Sequence, residues 1–178
     1  MTAAPVLETD VLVVGAGPAG SATAAWGARA GLDVLLADAE AFPRDKPCGD
    51  GLTPRAIAEL DLLGLSPFLE GKARNQGLRA AGFGRTLTLP WPSGSLPSHG
   101  GAAPRLELDD AIRRVAIDAG ASVAEGHRAI EVAVEAGKVT SVTFATGKAQ
   151  TREIRCKRLI VADGAKSQLG RRLGRLWH

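Results

Sequence analysis

The chain has 178 residues, 45% of them apolar and 23% charged, enough for one ordinary domain with a core and too apolar for a disordered chain. Its formal charge is +3, and its two cysteines, Cys48 and Cys156, stand far apart in unlike contexts that indicate neither a disulfide framework nor a metal site. The opening MTAAPVLETD lacks the basic and apolar regions of a signal peptide, and no apolar run approaches the ~18 residues of a membrane span, so a cytoplasmic protein touching a membrane from one side only is expected.

In chain order, Asp10 to Val14 is a short apolar run ending in glycines, which reads as a buried parallel strand. Small residues from Pro18 to Arg29 form a helix, with Pro18 suited to its first turn and Gly31 to its end. Asp33 to Ala37 is a second buried strand ending at Asp38, which completes a βαβ unit. Next comes FPRDKPCGDGLTPRA, residues 42–56, with no helical or strand period, and then a helix over Pro54–Leu63 closed by Gly64. Residues 77–89 alternate as a hairpin or a pair of short strands. Residues 90–104, rich in Pro, Gly and Ser, read as a long loop. Leu106 to Ala119 is an amphipathic helix with Leu108, Ile112, Val115 and Ala119 on one face. Ser122 to Ala124, Ala129 to Glu135, Lys138 to Ala145 and Thr151 to Cys156 read as a β-meander over about 122–156. Arg158 to Ala162 then forms one more buried strand leading into DGAKSQLGRRLG.

The glycines at 15, 17 and 20 carry the first chemistry. Gly15 allows a tight turn out of the strand, Gly17 lets backbone approach a pyrophosphate, and Gly20 lets helix and sheet pack closely. Pro18 and Ala19 open the helix whose N–H groups face the phosphates. Asp38 lies 18 residues past Gly20, where a carboxylate can take the hydroxyls of the adenosine ribose. FAD and NAD share this unit. A nicotinamide domain would continue with alternating strands and helices, whereas here a Gly/Pro-rich excursion and a meander intervene, which favours a flavoprotein. A simple NAD-binding module is the weaker alternative.

Asp163, Gly164 and Ser167 follow a buried strand as the first glycines do, and Arg105 opens the helix RLELDDAIRR. Here the sequence resembles the FAD-dependent monooxygenase and reductase superfamily typified by para-hydroxybenzoate hydroxylase. In that superfamily an Asp-Gly motif meets the ribityl and pyrophosphate region, and an arginine at the position of Arg105 touches the flavin. The arginine often found seven residues after the Asp is here Gly170, with Arg171 one place later. FPR followed by KPCGDGLTPRA is similar to the geranylgeranyl reductase branch, and GDGLTPRA, RLELD, VADGA and LGR resemble its actinobacterial menaquinone reductase type.

The resemblance implies an α/β, Rossmann-like FAD-binding domain over 1–178 with an inserted β-meander. It also implies an incomplete fold, since family members are longer and their second half supplies the substrate domain. The implied activity is reduction of isoprenoid C=C bonds by hydride from reduced FAD, on a geranylgeranyl or menaquinone prenyl chain. The electron donor would be NAD(P)H or ferredoxin-like, and the place the inner face of the plasma membrane. A monooxygenase or halogenase of the same superfamily, and an inactive FAD-binding fragment, are the alternatives. By the same resemblance Cys48 lies against the flavin ring, where it tunes the flavin, shapes the tunnel or relays a proton, and Gly49 lets backbone approach closely. The other reading of Cys48 is a small buried hydrophobe.

Arg44, just after the second strand, can reach the adenine ribose or the pyrophosphate. Lys46 and Asp50 read as solvated or turn-forming, and Trp91 and Phe83 as channel lining or core. His99, His127 and His178 share no ligand or triad spacing, so no metal is expected. Eight cations against two anions from Arg152 to His178 read as a solvated basic face or a site for phosphates or anionic lipid. Nucleic acid is disfavoured because no aromatics interleave with these cations.

Overall fold

The computed structural model describes residues 7–147 and 150–176; the end of the basic run at His178 lies outside them. Strand β1 (Leu7–Val14) leads through helix α1 (Pro18–Arg29) into β2 (Val34–Ala37). A long crossover follows: β3 (Gly51–Leu52), α2 (Pro54–Leu62), α3 (Ser66–Leu69), β4 (Ala73–Asn75), β5 (Gly77–Gly82), β6 (Arg85–Pro90), β7 (Gly100–Ala102) and α4 (Arg105–Asp118). The chain returns as β8 (Ser122–Ala124), then β9 (Arg128–Glu135), β10 (Lys138–Gly147), β11 (Gln150–Val161) and α5 (Gln168–Arg172).

The main sheet runs β8-β2-β1-β11-β10-β9. Its first four strands are parallel, and β9, β10 and β11 pair antiparallel. Strand order therefore reverses at β1: the chain first builds outward through β2 and β8, then crosses to β11 on the other side. That reversal opens a crevice beyond the strand ends where ligands of such sheets bind. Alternation along β1 serves two cores. Val13 packs with Leu36, Ala24, Ala25, Leu108 and Ile112 under α1 and α4, while Leu12 and Val14 pack with Leu35, Val142, Phe144 and Ile154 beneath the meander.

Two expectations change here. Ser122–Ala124 is not part of the meander: it pairs in parallel with β2, Leu35 opposite Ser122, and becomes the outer strand of the nucleotide-binding half. A three-residue strand carries no sequence mark of its pairing partner. Thr151–Cys156 and Arg158–Ala162 are one continuous strand, β11, because its first half pairs with β10 and its second with β1. Within 90–104, β7 forms a small sheet with β3 and β4, made possible by Gly100, where a Cβ would lie 2.4 Å from the Leu52 carbonyl oxygen. The hairpin β5–β6 is present and exposed, with Phe83 at its tip and away from any core. Trp91 is held by Asn75, its Nε1 donating at 2.7 Å.

Phe144 is fully buried and closes the second core. Phe144→Ala is expected to lower the unfolding free energy by about 3–5 kcal/mol, visible as a lower urea midpoint at unchanged m; a midpoint within error of the parent would mean that the meander is not packed as described.

Candidate functional site

Four strand ends meet at the crevice. The Gly15 N–H donates to the Ala37 carbonyl at 2.8 Å and the Ala162 N–H to the Val14 carbonyl at 2.7 Å, so the turns after β1 and β11 are pressed together. Gly15 has φ +104°, and a Cβ on it would lie 2.3 Å from the Ala162 carbonyl oxygen. A Cβ on Gly20 would lie 1.8 Å from the Gly15 oxygen, which makes Gly20 a packing residue behind the turn. Above Gly17 there is room, with only two arginine tips at 3.7 and 3.9 Å from the position of a Cβ. These distances separate the jobs of the three glycines.

The crevice opens into a cleft of about 580 Å³. Of the residues singled out in the sequence, Gly15, Gly17, Pro18, Ala19, Asp38, Arg44, Arg105, Asp163 and Gly164 border it. Lys46 is exposed, as expected, and it also borders the cleft. Asp38 is nearly buried; its Oδ2 accepts from the Ala16 N–H at 2.6 Å and its Oδ1 from the Glu40 N–H at 2.9 Å. Those bonds lock the carboxylate at the mouth of the turn.

Some expected residues stand elsewhere. Ser167 is buried and caps α5, accepting from the Gly170 N–H at 2.8 Å, and it does not border the cleft. That cap also explains Gly170, since a Cβ there would lie 2.7 Å from the Ser167 hydroxyl. Cys48 and Gly49 are exposed, one step past Pro47 at the cleft edge; Cys48 is therefore not a buried hydrophobe, and nothing among the described residues crowds Gly49. Cys156 is the buried cysteine, and burial pushes its thiol pKa up.

Two residues escaped the sequence reading. Asp109 on α4 is fully buried and takes three charged donors: Arg44 Nη1 at 2.9 Å, Arg105 Nε at 2.6 Å and Arg105 Nη2 at 2.8 Å. Arg105 sits on the first turn of α4, where the helix dipole disfavours a cation, and Asp109 one turn on compensates. The i,i+4 spacing was readable; the partnership with Arg44 was not. His127, in the turn after β8, borders the cleft and donates its backbone N–H to the Asp38 carbonyl at 2.7 Å. Its Nδ1 faces the Glu125 carbonyl at 2.8 Å and so carries the proton there, while Nε2 is buried without a partner.

Phe42 joins the arginine loop to α4. The guanidiniums of Arg44 and Arg113 approach its ring at 4.8 and 5.2 Å. Arg113 is held in turn by Asp110, at 2.7 Å, and by Glu125, at 3.3 Å. Burial works against the Asp110 charge, yet its bonds with Arg113 and Arg114 hold its pKa below the usual carboxylate value.

The family model described as FAD binding domain matches residues 8–176. The chain belongs to this family. As an FAD binding domain it is 58% identical to menaquinone reductase of Mycobacterium tuberculosis over 96% of its length, and 35% identical to digeranylgeranylglycerophospholipid reductase 1 of Methanopyrus kandleri over 94%. It spans 41% and 43% of those two relatives, so their remaining length has no counterpart in it. Among solved structures, a geranylgeranyl bacteriochlorophyll reductase-like protein of Thermoplasma acidophilum superposes with a TM-score of 0.80 at 28% identity, covering 96% of this chain and 43% of that one. The α/β class and the flavin cofactor expected from the sequence therefore hold.

Cys48 gives the edge of the domain its own chemistry. A backbone hydrogen bond at Asp50, and then the Arg105 guanidinium, hold its thiol below the usual pKa. In Arg105→Gln the pH midpoint of Cys48 alkylation by iodoacetamide is expected to rise. In Arg113→Gln, whose guanidinium engages Asp110 and Glu125 instead, it should stay put. An unmoved midpoint in Arg105→Gln would remove Arg105 from the thiol's environment.

Proposed function

We propose that FAD lies along this cleft and that the domain serves reduction of carbon–carbon double bonds in a polyprenyl chain, that of a menaquinone above all. The observation that carries the reading is the 58% identity to a menaquinone reductase across nearly the whole chain. The chemistry of the cleft fits the cofactor. Among the described residues three buried polar atoms lack partners, and two of them, Asp163 Oδ1 and His127 Nε2, belong to residues that border the cleft; the third, Arg152 Nε, does not. Asp163 and His127 follow β11 and β8, three strand spacings or about 14 Å apart, at the two ends of an elongated cleft. Asp163 Oδ1 suits a hydroxyl donor of the ribityl chain, and Asp38 at the other end suits the adenosine ribose. Between them the Gly15–Gly17 turn, the N-terminus of α1 and the guanidiniums of Arg44 and Arg105 suit the pyrophosphate.

FAD in its reduced form supplies hydride, and the protein must position the ring, keep water out and provide a proton. Cys48 stands beside Arg105 at the edge of the cleft, and if the flavin ring lies against it, as in the family it resembles, a thiol of lowered pKa can hold or pass that proton. Arg105 is anchored by Asp109 and is therefore a fixed charge at that edge rather than a mobile one. The substrate is a lipid, so the domain works at the membrane surface, peripherally. No helix among the described residues is long and apolar enough to cross a bilayer.

The test is a chimera in which residues 7–176 replace the corresponding segment of the Mycobacterium tuberculosis menaquinone reductase. With chemically reduced flavin it is expected to raise the mass of menaquinone by two hydrogens per reduced bond. A hydroxylated product, or loss of activity in a folded, yellow chimera, would overturn the reading. In the 178-residue chain itself, Asp163→Ala is expected to weaken FAD binding about tenfold or more, measured by quenching of flavin fluorescence; unchanged affinity would take the ribityl contact away from Asp163.

A further inference from the structure

The two arginines at the phosphate turn come from distant parts of the chain, Arg44 from the loop after β2 and Arg105 from the start of α4. Like charges do not converge unaided. Yet their Nη2 atoms stand 3.7 and 3.9 Å from where a Cβ on Gly17 would be, over the same point of the turn. What brings them together is one buried carboxylate. Asp109 Oδ2 accepts from both guanidiniums, Nη1 of Arg44 and Nη2 of Arg105, and Oδ1 accepts the Arg105 Nε. Arg105 is thus held in bidentate fashion, which sets the plane of its guanidinium, and Arg44 is held on the opposite side of the shared oxygen.

We propose that Asp109 is the positioning residue of a pyrophosphate clamp: it touches no ligand itself and acts by orienting Arg44 and Arg105 over the Gly15–Gly17 turn. The clamp carries two positive charges and one negative, a net +1 facing a diphosphate. Two opposing consequences follow from removing the carboxylate. By charge alone, Asp109→Asn adds a unit of positive charge near the phosphates and should tighten binding of any anion. By position, it releases the arginines to repel each other and swing away, and binding should weaken. The sign of the change therefore separates a positioning role from a purely electrostatic one.

FAD is titrated into the folded 178-residue chain and its Asp109→Asn variant, with folding checked by circular dichroism and the wild-type titration serving as the separate test that the chain binds FAD at all. Asp109→Asn is expected to raise the FAD Kd roughly 10- to 100-fold, the range for losing hydrogen bonds to charged groups. An unchanged or lower Kd would overturn the proposal. A second set avoids dependence on that one variant. Removing Arg44 together with Asp109, as Arg44→Met/Asp109→Asn, takes away one cation and one anion and leaves no repelling pair. Adding Arg105→Gln to Arg44→Met is expected to weaken FAD binding several-fold more than adding it to the double variant, because Arg105 is no longer held there. Equal costs in the two backgrounds would overturn the clamp, since Arg105 would then bind without help from Asp109.

Discussion

The site depends on the parallel pairing of β1 with β11, two strands far apart in the chain. That pairing puts the turn at Gly15 against Ala162, close enough that a side chain at position 15 would collide with backbone. Everything chemical follows from the junction. The first turn presents backbone N–H groups and the start of α1, the second presents Asp163, and the strand reversal keeps the space between them open. A dinucleotide cleft needs both turns at once. Neither half of the chain could form it alone.

Around that junction the protein uses buried acids to arrange its arginines. Asp109 and Asp110 are neighbours on α4, both buried, and each is satisfied by guanidiniums: Arg44 and Arg105 on the first, Arg113 and Arg114 on the second. Burying a carboxylate is tolerable only with such complete pairing, because its desolvation is otherwise uncompensated. The pairing turns α4 into a scaffold that grips the arginine loop through Phe42 and carries it to the cleft. The loop from 42 to 50 has no regular structure of its own, and its position is borrowed from the helix. This explains how a loop of two prolines, one glycine and several charges can hold Cys48 beside the fixed charge of Arg105.

The relatives bear on how far the domain can go chemically. They share the cleft-forming segment and are more than twice as long, and their names point to long isoprenoid substrates. The cleft described here suits a dinucleotide; a prenyl chain needs an apolar tunnel. The exposed hairpin β5–β6 leaves Leu78, Phe83, Leu87 and Leu89 open to solvent.

The sequence by itself determined the βαβ unit, the three glycines, Asp38, the Asp163 turn and the helix starting near Arg105, because each is a local pattern: a period, a breaker or a fixed spacing. The tertiary structure alone decided that 122–124 joins the nucleotide sheet, that 150–161 is one strand, that Ser167 caps a helix, and that His127 and Lys46 face the cleft. It also decided that Arg44 and Arg105 share one buried carboxylate. Apart from the Ser167 cap, which is local, these are pairings between residues tens of positions apart. Strand partners and buried ion pairs are chosen by which backbones and charges the fold brings within a few ångströms, and no local pattern records that choice.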